Sequence, residues 1–405
     1  MRKKEWPGSV WDIAAELEGL ERQHLLRDNR TLRPAGGMQA VDPRGRRLLH
    51  FCGNDYLGLA RHPDIAAALC RSAARETGSG AAHLVSGHRP EHGALQEALA
   101  DWLHRDRVLL FSTGYMANLG VIAGLLGKGD LVVQDRLNHA SLLDGGLLSG
   151  ARMRRYRHRD TQHLQHCLET SARRRLVVTD GVFSMDGDQA PVAAIRDVAR
   201  RNAAAVLVDD AHGLGVAGPE GRGVLAEAGL NQDDVPLLVG TFGKAFGTFG
   251  AFVAGPSEWI ELVLQRARTY RYTTASPPCL AAATSCALGL VRSEEWRREH
   301  LAALISRFRR GAEQLGLRLL PSQSPIQPII MGSAAAALEA ARALEHRGVL
   351  VTAIRPPTVP QGSARLRITL SAGHTEGQVD RLLGALEGIA TGTGDRRSED
   401  AGTGR

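Results

Sequence analysis

Lysine is almost missing from this basic chain: of 50 Lys and Arg residues among 405, only Lys3, Lys4, Lys128 and Lys244 are lysine. Where positive charge alone is wanted, arginine supplies it. Arginine neither forms a Schiff base nor acts as a base near neutral pH, whereas a desolvated lysine does both. Aromatic residues are equally scarce, at 4%. With no aromatics interleaved among the charges and no binding motif, a net charge of +7 does not make a nucleic-acid binder. The basic runs 152–159 (RMRRYRHR) and 173–175 read instead as solvated helix or loop faces, or as a surface that attracts an acidic partner. Five scattered cysteines form no CxxC pair, which points to reduced thiols in a cytoplasmic protein and to no metal site. Long hydrophobic runs are lacking too: 280–291 is interrupted by Thr284 and Ser285 and is too short to span a bilayer. The opening MRKKEWPGSVW has no apolar stretch behind its charge, so no signal peptide and no membrane association are expected.

What is present is a hydrophobic content of 43%, enough for a large core. Ile13, Leu17, Leu20 and Leu25 are spaced for one face of a helix within 11–27, and a short strand is predicted near 48–51. From there to about 255, short apolar runs alternate with helical patterns: RVLLF, DLVVQD, RLVVTD, AVLVDD, PLLVG and GAFVAG. Near-continuous apolar strands are those buried on both faces of a mostly parallel sheet with helices packed around it. Residues 257–312 read as helical, followed by a smaller α/β part with IQPIIMG, a helix at 334–347 and the strand pattern RLRITLSA. The expected division is an N-terminal arm and helix (1–50), a large domain (51–290), a small C-terminal α/β domain (291–390) and a disordered polar tail (391–405).

In open parallel sheets, ligands collect at the carboxyl ends of strands. After RVLLF, Ser112-Thr113-Gly114-Tyr115 opens a helix, a setting that suits a phosphate or a plain helix cap. After DLVVQD comes His139, which suits stacking or a structural hydrogen bond. RLVVTD leads to Ser184 and Asp186 in a tight loop. AVLVDDAHG places Asp209 at a strand end, where a carboxylate needs a cationic or donor partner such as a protonated pyridine nitrogen, and puts His212 three residues on. PLLVG runs into Thr241-Phe242-Gly243-Lys244 and a glycine-rich turn. Together these are a phosphate cradle, a stacking group, a pyridinium partner and an amine on successive strand ends.

The motifs NDYLGLA (54–60), GSGAAHLVSG (78–87), DGVFSMDGD (180–188), VDDAHGLGVAGPEGRG (208–223) and TFGKAFG (241–247) identify a closer kinship. Over about 27–383 the chain resembles the α-oxoamine synthases, fold type I pyridoxal-phosphate enzymes that condense an amino acid with an acyl thioester. The segment TAIRPPTVPQGSARLRITLSAGH (352–374) is similar to the biotin-pathway member of that family. Two departures stand out: Asp180 where glutamate is common, and HRPEH at 88–92.

The resemblance implies pyridoxal 5'-phosphate held as a Schiff base by Lys244, with Asp209 on the pyridine nitrogen and His139 stacked on the ring. It puts His212 and Ser184 on the ring hydroxyl side, Gly114, Tyr115 and Thr241 on the phosphate or ring, and Thr273 or Thr274 on the phosphate of a neighbouring subunit in a homodimer. Arg367 is assigned the amino-acid carboxylate, and Arg27 and Thr358 the acyl substrate. The implied substrates are L-alanine and a pimeloyl group carried on coenzyme A or an acyl-carrier protein. A family member using glycine or serine, or an aminotransferase of the same fold, remains the alternative.

Overall fold

The computed structural model describes residues 11–399, with side chains described through 389. Seven strands make the central sheet: β1 (Arg107–Phe111), β2 (Leu131–Asp135), β3 (Arg152–Tyr156), β4 (Arg175–Asp180), β5 (Ala205–Asp209), β6 (Leu237–Thr241) and β7 (Ala251–Gly255). Their order is β1-β7-β6-β5-β4-β2-β3, with β7 antiparallel to both neighbours and the rest parallel. All six apolar runs predicted from sequence are strands of this sheet. Their Val and Leu side chains are buried on both faces, each contributing roughly 1.5–3 kcal/mol. One face packs on Trp102 and Phe246, the other on Val121, Ile122 and Leu142.

The seventh strand corrects the sequence reading. RMRRY, expected as a solvated helix or loop face, is β3, an edge strand paired only with β2. An edge strand keeps one side in water, so it takes arginines where inner strands take valines, and the apolar signal vanishes. The second basic run is also committed: Arg173 pairs with the buried Asp130 at 3.0 Å, and Arg175 begins β4.

Four helices bear on the site and its surroundings: α1 (Ile13–Arg22), α2 (Gly114–Leu125), α3 (Ala140–Ser149) and α4 (Glu376–Glu399). α1 lies within the predicted 11–27, and its apolar face, Ile13, Leu17 and Leu20, stays exposed in the single chain. The smaller part is an antiparallel sheet in the order Ile326–Gly332, Ala364–Thr369, Thr352–Ile354, with the helix Ala334–His346 beside it. Val349–Leu350 pairs in parallel with Arg47–His50, so the expected N-terminal arm is tied by backbone to the C-terminal part. α4 runs on to Glu399, into the segment expected as a disordered tail. Its first turns are anchored by buried Val379, Leu382 and Leu386. Once nucleated, a helix adds one hydrogen bond for each residue fixed, and no proline interrupts this one. The last six residues, 400–405, lie outside the described ones.

Among the described residues no helix is long and apolar enough to cross a membrane, and all five cysteines are unbridged.

Candidate active site

The parallel register sets Asp180 directly beside Asp209 at the ends of β4 and β5. Around them a cavity of about 190 Å³ is lined by Gly114, Tyr115, His139, Ser184, Asp209, His212, Thr241 and Lys244. Eight residues assigned from sequence therefore meet in one place. Each arrives from a strand end, the turn that follows it or, for Gly114 and Tyr115, the first turn of the helix after it, as the apolar strand pattern predicted.

Lys244 follows β6 and is fixed by the turn after it. Gly247 adopts φ +65°, and a Cβ there would lie 2.3 Å from the backbone nitrogen of Ala60. The glycine thus lets the lysine loop press against the NDYLGLA segment. Desolvation lowers the Lys244 amine from 10.5 to about 8, and Arg367 pushes the same way, against the pull of Asp209 and Asp180.

Asp209 is held on both oxygens. Its Oδ1 accepts from the Ala211 N–H at 3.0 Å and its Oδ2 from the Asn118 amide at 2.6 Å. The same Asn118 nitrogen donates to Ser141 Oγ at 2.9 Å, and Ser141 Oγ lies 2.7 Å from His139 Nδ1. His139 is the N-cap of α3, its Nδ1 accepting from the Ser141 N–H at 3.3 Å. Burial, the largest influence, holds the His139 imidazole below its ordinary range. A neutral imidazole whose Nδ1 accepts carries its proton on Nε2.

His212 is buried, with Nδ1 2.6 Å from the Tyr56 hydroxyl. Its pKa falls well below the ordinary value through desolvation, with Lys244 and Arg367 adding repulsion. Asp180 is pushed well up by burial and by Asp209, while its Oδ2 accepts from the His139 N–H at 2.8 Å. Thr241 gives its hydroxyl proton to the Gly250 carbonyl at 3.0 Å. At the N-terminus of α2, Thr113 caps the helix through the Met116 N–H at 3.2 Å, beside Gly114.

Arg365 and Arg367 sit two apart on the same buried strand and differ in what neutralises them. Arg365 pairs with Asp186 at 2.6 Å. Arg367 meets only neutral oxygens, the Ser184 carbonyl at 2.7 Å and Asn54 Oδ1 at 3.2 Å from each terminal nitrogen. Among the described residues no carboxylate pairs with it; it is absent from the lining of that cavity, and its unspent charge reaches Lys244 only as a repulsion that lowers the amine's pKa.

A second cavity, of about 820 Å³, shares His139 and Ser184 with the first and runs past Thr358, Pro357 and Arg365. Arg27 reaches Thr358 Oγ1 at 3.3 Å, so the two residues assigned to the acyl group meet at its rim. Thr273 and Thr274 line neither cavity of this chain.

Sequence reasoning passed over Asn118, Ser141, Tyr56 and Asn54 as site residues. Asn118 carried a readable signal: it is a lone amide in the apolar helix GYMANLGVIAGL, one turn after Gly114 and so on the same face. The other three sit in segments whose motifs carried no side-chain assignment.

His83, His88 and His92, partly within the unusual HRPEH segment, each bring a nitrogen within 4.8 Å of the others. His92 is already committed, with Nδ1 accepting from the Arg89 N–H and Nε2 facing the Ser276 carbonyl, both at 2.9 Å. As folded it offers no lone pair to a metal.

The model for aminotransferase class I and II matches residues 46–386. An 8-amino-7-oxononanoate synthase of Alkalilimnicola ehrlichii is 61% identical, over 92% of this chain and 96% of the relative. One from Pseudomonas putida is 58% identical over 93% and 97%. A serine palmitoyltransferase from S. paucimobilis, solved with a PLP–myriocin aldimine, superposes with a TM-score of 0.89 at 31% identity, covering 94% of this chain and 97% of that one. The 8-amino-7-oxononanoate synthase of Francisella tularensis superposes with a TM-score of 0.76 at 29% identity, covering 86% and 99%. The chain belongs to the aminotransferase class I and II family of fold type I pyridoxal-phosphate enzymes, and within it to the 8-amino-7-oxononanoate synthases.

The residues present fit that cofactor. A lysine with a lowered pKa, a doubly held carboxylate, a helix N-terminus and the buried, unpartnered Oδ1 of Asn118 surround one cavity.

Proposed function

We propose that the chain condenses L-alanine with a pimeloyl thioester, on coenzyme A or an acyl-carrier protein, releasing 8-amino-7-oxononanoate, carbon dioxide and free thiol in biotin biosynthesis. The carrying observation is Lys244, a buried amine with a lowered pKa, in a cavity that shares His139 and Ser184 with a second, larger one, while Arg367, a buried guanidinium without a carboxylate partner, lies close enough behind the lining to act on that lysine. An amino acid bound by its carboxylate and an acyl chain arriving from the other side fit that layout. Relatives at 61% and 58% identity carry the corresponding activity in their names.

Pyridoxal phosphate, which Lys244 would hold until the amino acid's own amine takes that place and frees the lysine, would supply the electron sink for a carbanion at the amino-acid Cα. The chain's own residues do the rest. Arg367 binds the carboxylate through its two terminal nitrogens, a bidentate contact that fixes Cα. Lys244 Nζ, unprotonated in appreciable fraction near neutral pH because burial lowers its pKa to about 8, takes the Cα proton. Asp209, pinned by Asn118 and the Ala211 N–H, presents a fixed negative charge to the pyridine nitrogen. His139, its Nδ1 spent on the helix cap, turns a protonated Nε2 toward the thioester carbonyl as negative charge develops there. Loss of carbon dioxide from the β-keto acid needs no further base.

A homodimer suits the exposed apolar residues Leu84, Val85, Phe249 and Tyr272, and α1's open face. In it Thr273 or Thr274 reaches the neighbouring phosphate. Five unbridged cysteines suit the reducing cytoplasm.

The test supplies L-alanine, glycine and L-serine separately, each with pimeloyl thioester, and identifies products by mass spectrometry. Alanine-dependent 8-amino-7-oxononanoate is expected. Preferential turnover of glycine or serine, or amino transfer to a keto acid without thioester, contradicts the assignment.

A further inference from the structure

His158 has no part in the condensation chemistry, yet both its nitrogens end on carboxylates. Nδ1 lies 3.0 Å from Asp135 Oδ1, and Nε2 lies 2.9 Å from Asp188 Oδ2. A carboxylate only accepts, so both nitrogens donate and the ring is an imidazolium. Asp135 is fully buried at the end of β2 and Asp188 is buried in the loop after β4. The ring's face-to-edge contact with Phe183, 4.4 Å between centroids, fixes its plane.

Each carboxylate belongs to a loop that delivers a site residue. Asp135 Oδ1 also accepts from the Leu137 N–H at 2.8 Å, opening the turn that ends in His139, while its Oδ2 accepts from the Arg159 N–H at 2.8 Å. Asp188 closes the loop around Ser184: its carbonyl accepts from the Phe183 N–H at 2.9 Å, and the Phe183 carbonyl accepts from the Gly187 N–H at 2.8 Å. That loop in turn accepts Arg367 through the Ser184 carbonyl.

We propose that His158, bridging Asp135 and Asp188, is a positioning residue that sets the His139 loop and the Ser184 loop at their working separation where the two cavities join. This rests on the reading of the site as one that condenses alanine with an acyl thioester. The device is a cross-brace between loops from β2 and β4, acting beside the bonds of Asn138 and His139 to Asp180 and the parallel bridge through Arg159. A lateral error of about 1 Å between acid and electrophile costs on the order of a hundredfold in rate.

The charged groups facing His158 are Asp135 from β2, Asp188 from the β4 loop, and Arg159 of its own turn, which reaches Asp188 at 3.0 Å. Against the cost of burial, the two carboxylates raise His158 from 6.5 to about 9. A raised pKa in the folded state stabilises fully below about pH 6.5 and is lost as pH climbs through about 9.

Two conservative variants separate the arms. In H158N the amide nitrogen occupies the Nδ1 position and holds Asp135 alone; in H158Q it occupies the Nε2 position and holds Asp188 alone. H158A holds neither. Holoenzyme of all three is assayed for cofactor content, kcat and KM, and for melting temperature between pH 6 and 10. The expected result is full cofactor content, KM for alanine within about twofold, and kcat lowered on the order of tenfold to a hundredfold in H158A, with partial recovery in H158N and H158Q. The melting gap between wild type and each variant should narrow as pH passes about 9. Wild-type kcat in folded H158A, loss of cofactor in step with kcat, or a gap independent of pH overturns the proposal. Should wild type itself make no 8-amino-7-oxononanoate while the gap still narrows, the assigned reaction fails and the brace stands.

Discussion

The side-chain amide of Asn118 donates to Asp209 at 2.6 Å and, from the same nitrogen, to Ser141 Oγ at 2.9 Å. One residue on α2 therefore holds the carboxylate proposed to meet the cofactor nitrogen and, through Ser141, the Nδ1 side of His139. In the proposed mechanism it ties the group that tunes the cofactor to the group that donates the proton.

Asn118→Ala removes a hydrogen bond to a charged acceptor, worth about 1.5–3 kcal/mol. The expected outcome is weaker cofactor retention and a fall in kcat of roughly tenfold to a hundredfold. Cofactor release on dialysis and steady-state kinetics check it together. Unchanged values for both would mean that Asp209 is held well enough by the Ala211 N–H.

Arg365 and Arg367 should separate function from stability. Arg367→Met deletes the unspent cation, and KM for alanine should rise by about tenfold or more, with cofactor content intact. Arg365→Met leaves Asp186 without its partner and should lower the melting temperature more than it alters KM. Equal effects of the two changes on KM would deny Arg367 its role.

The glycine at 247 should tolerate no side chain. Gly247→Ala places a methyl against the Ala60 backbone at a positive φ, which costs on the order of 1–3 kcal/mol in backbone strain before the clash is counted. A drop of several degrees in melting temperature is expected, together with reduced cofactor content, because the lysine loop rests on this contact. Wild-type stability would show that the loop moves freely.

Asp210 offers a test through pH. Buried, with Oδ1 unpartnered, it is raised by desolvation from 3.8 to about 8. Between those values the folded chain keeps a proton that the unfolded chain releases, so this group makes stability fall as pH rises from 4 to 8. Asp210→Asn should flatten that slope in melting curves. A slope as steep as the wild type's would place the titration elsewhere.

The fold was legible where burial is two-sided. Strands such as LVVQD and AVLVD are apolar throughout because nothing but protein touches them, and their polar ends marked the site. RMRRY was not legible, because an edge strand obeys the solvent on its free side. Asp209, His139, His212 and Lys244 could be found because each stands at a strand end or the turn that follows it. Asn118 lies mid-helix, and its importance appears only when Asp209 and Ser141, 91 and 23 residues away, are brought against it. The contrast between Arg365 and Arg367 is likewise invisible in RLRIT, since it depends on which one meets Asp186.

The whole proposed mechanism turns on Lys244 being the amine that carries the cofactor. Borohydride reduction of the holoenzyme, followed by digestion and peptide mass mapping, tests this, since only four lysines exist to choose among. A single phosphopyridoxyl adduct is expected on Lys244, in the TFGKAFG segment, its formation from cofactor-free protein rising with pH around a midpoint near 8. An adduct on Lys128 or on the N-terminal lysines, or reduced protein that carries no adduct, would contradict it.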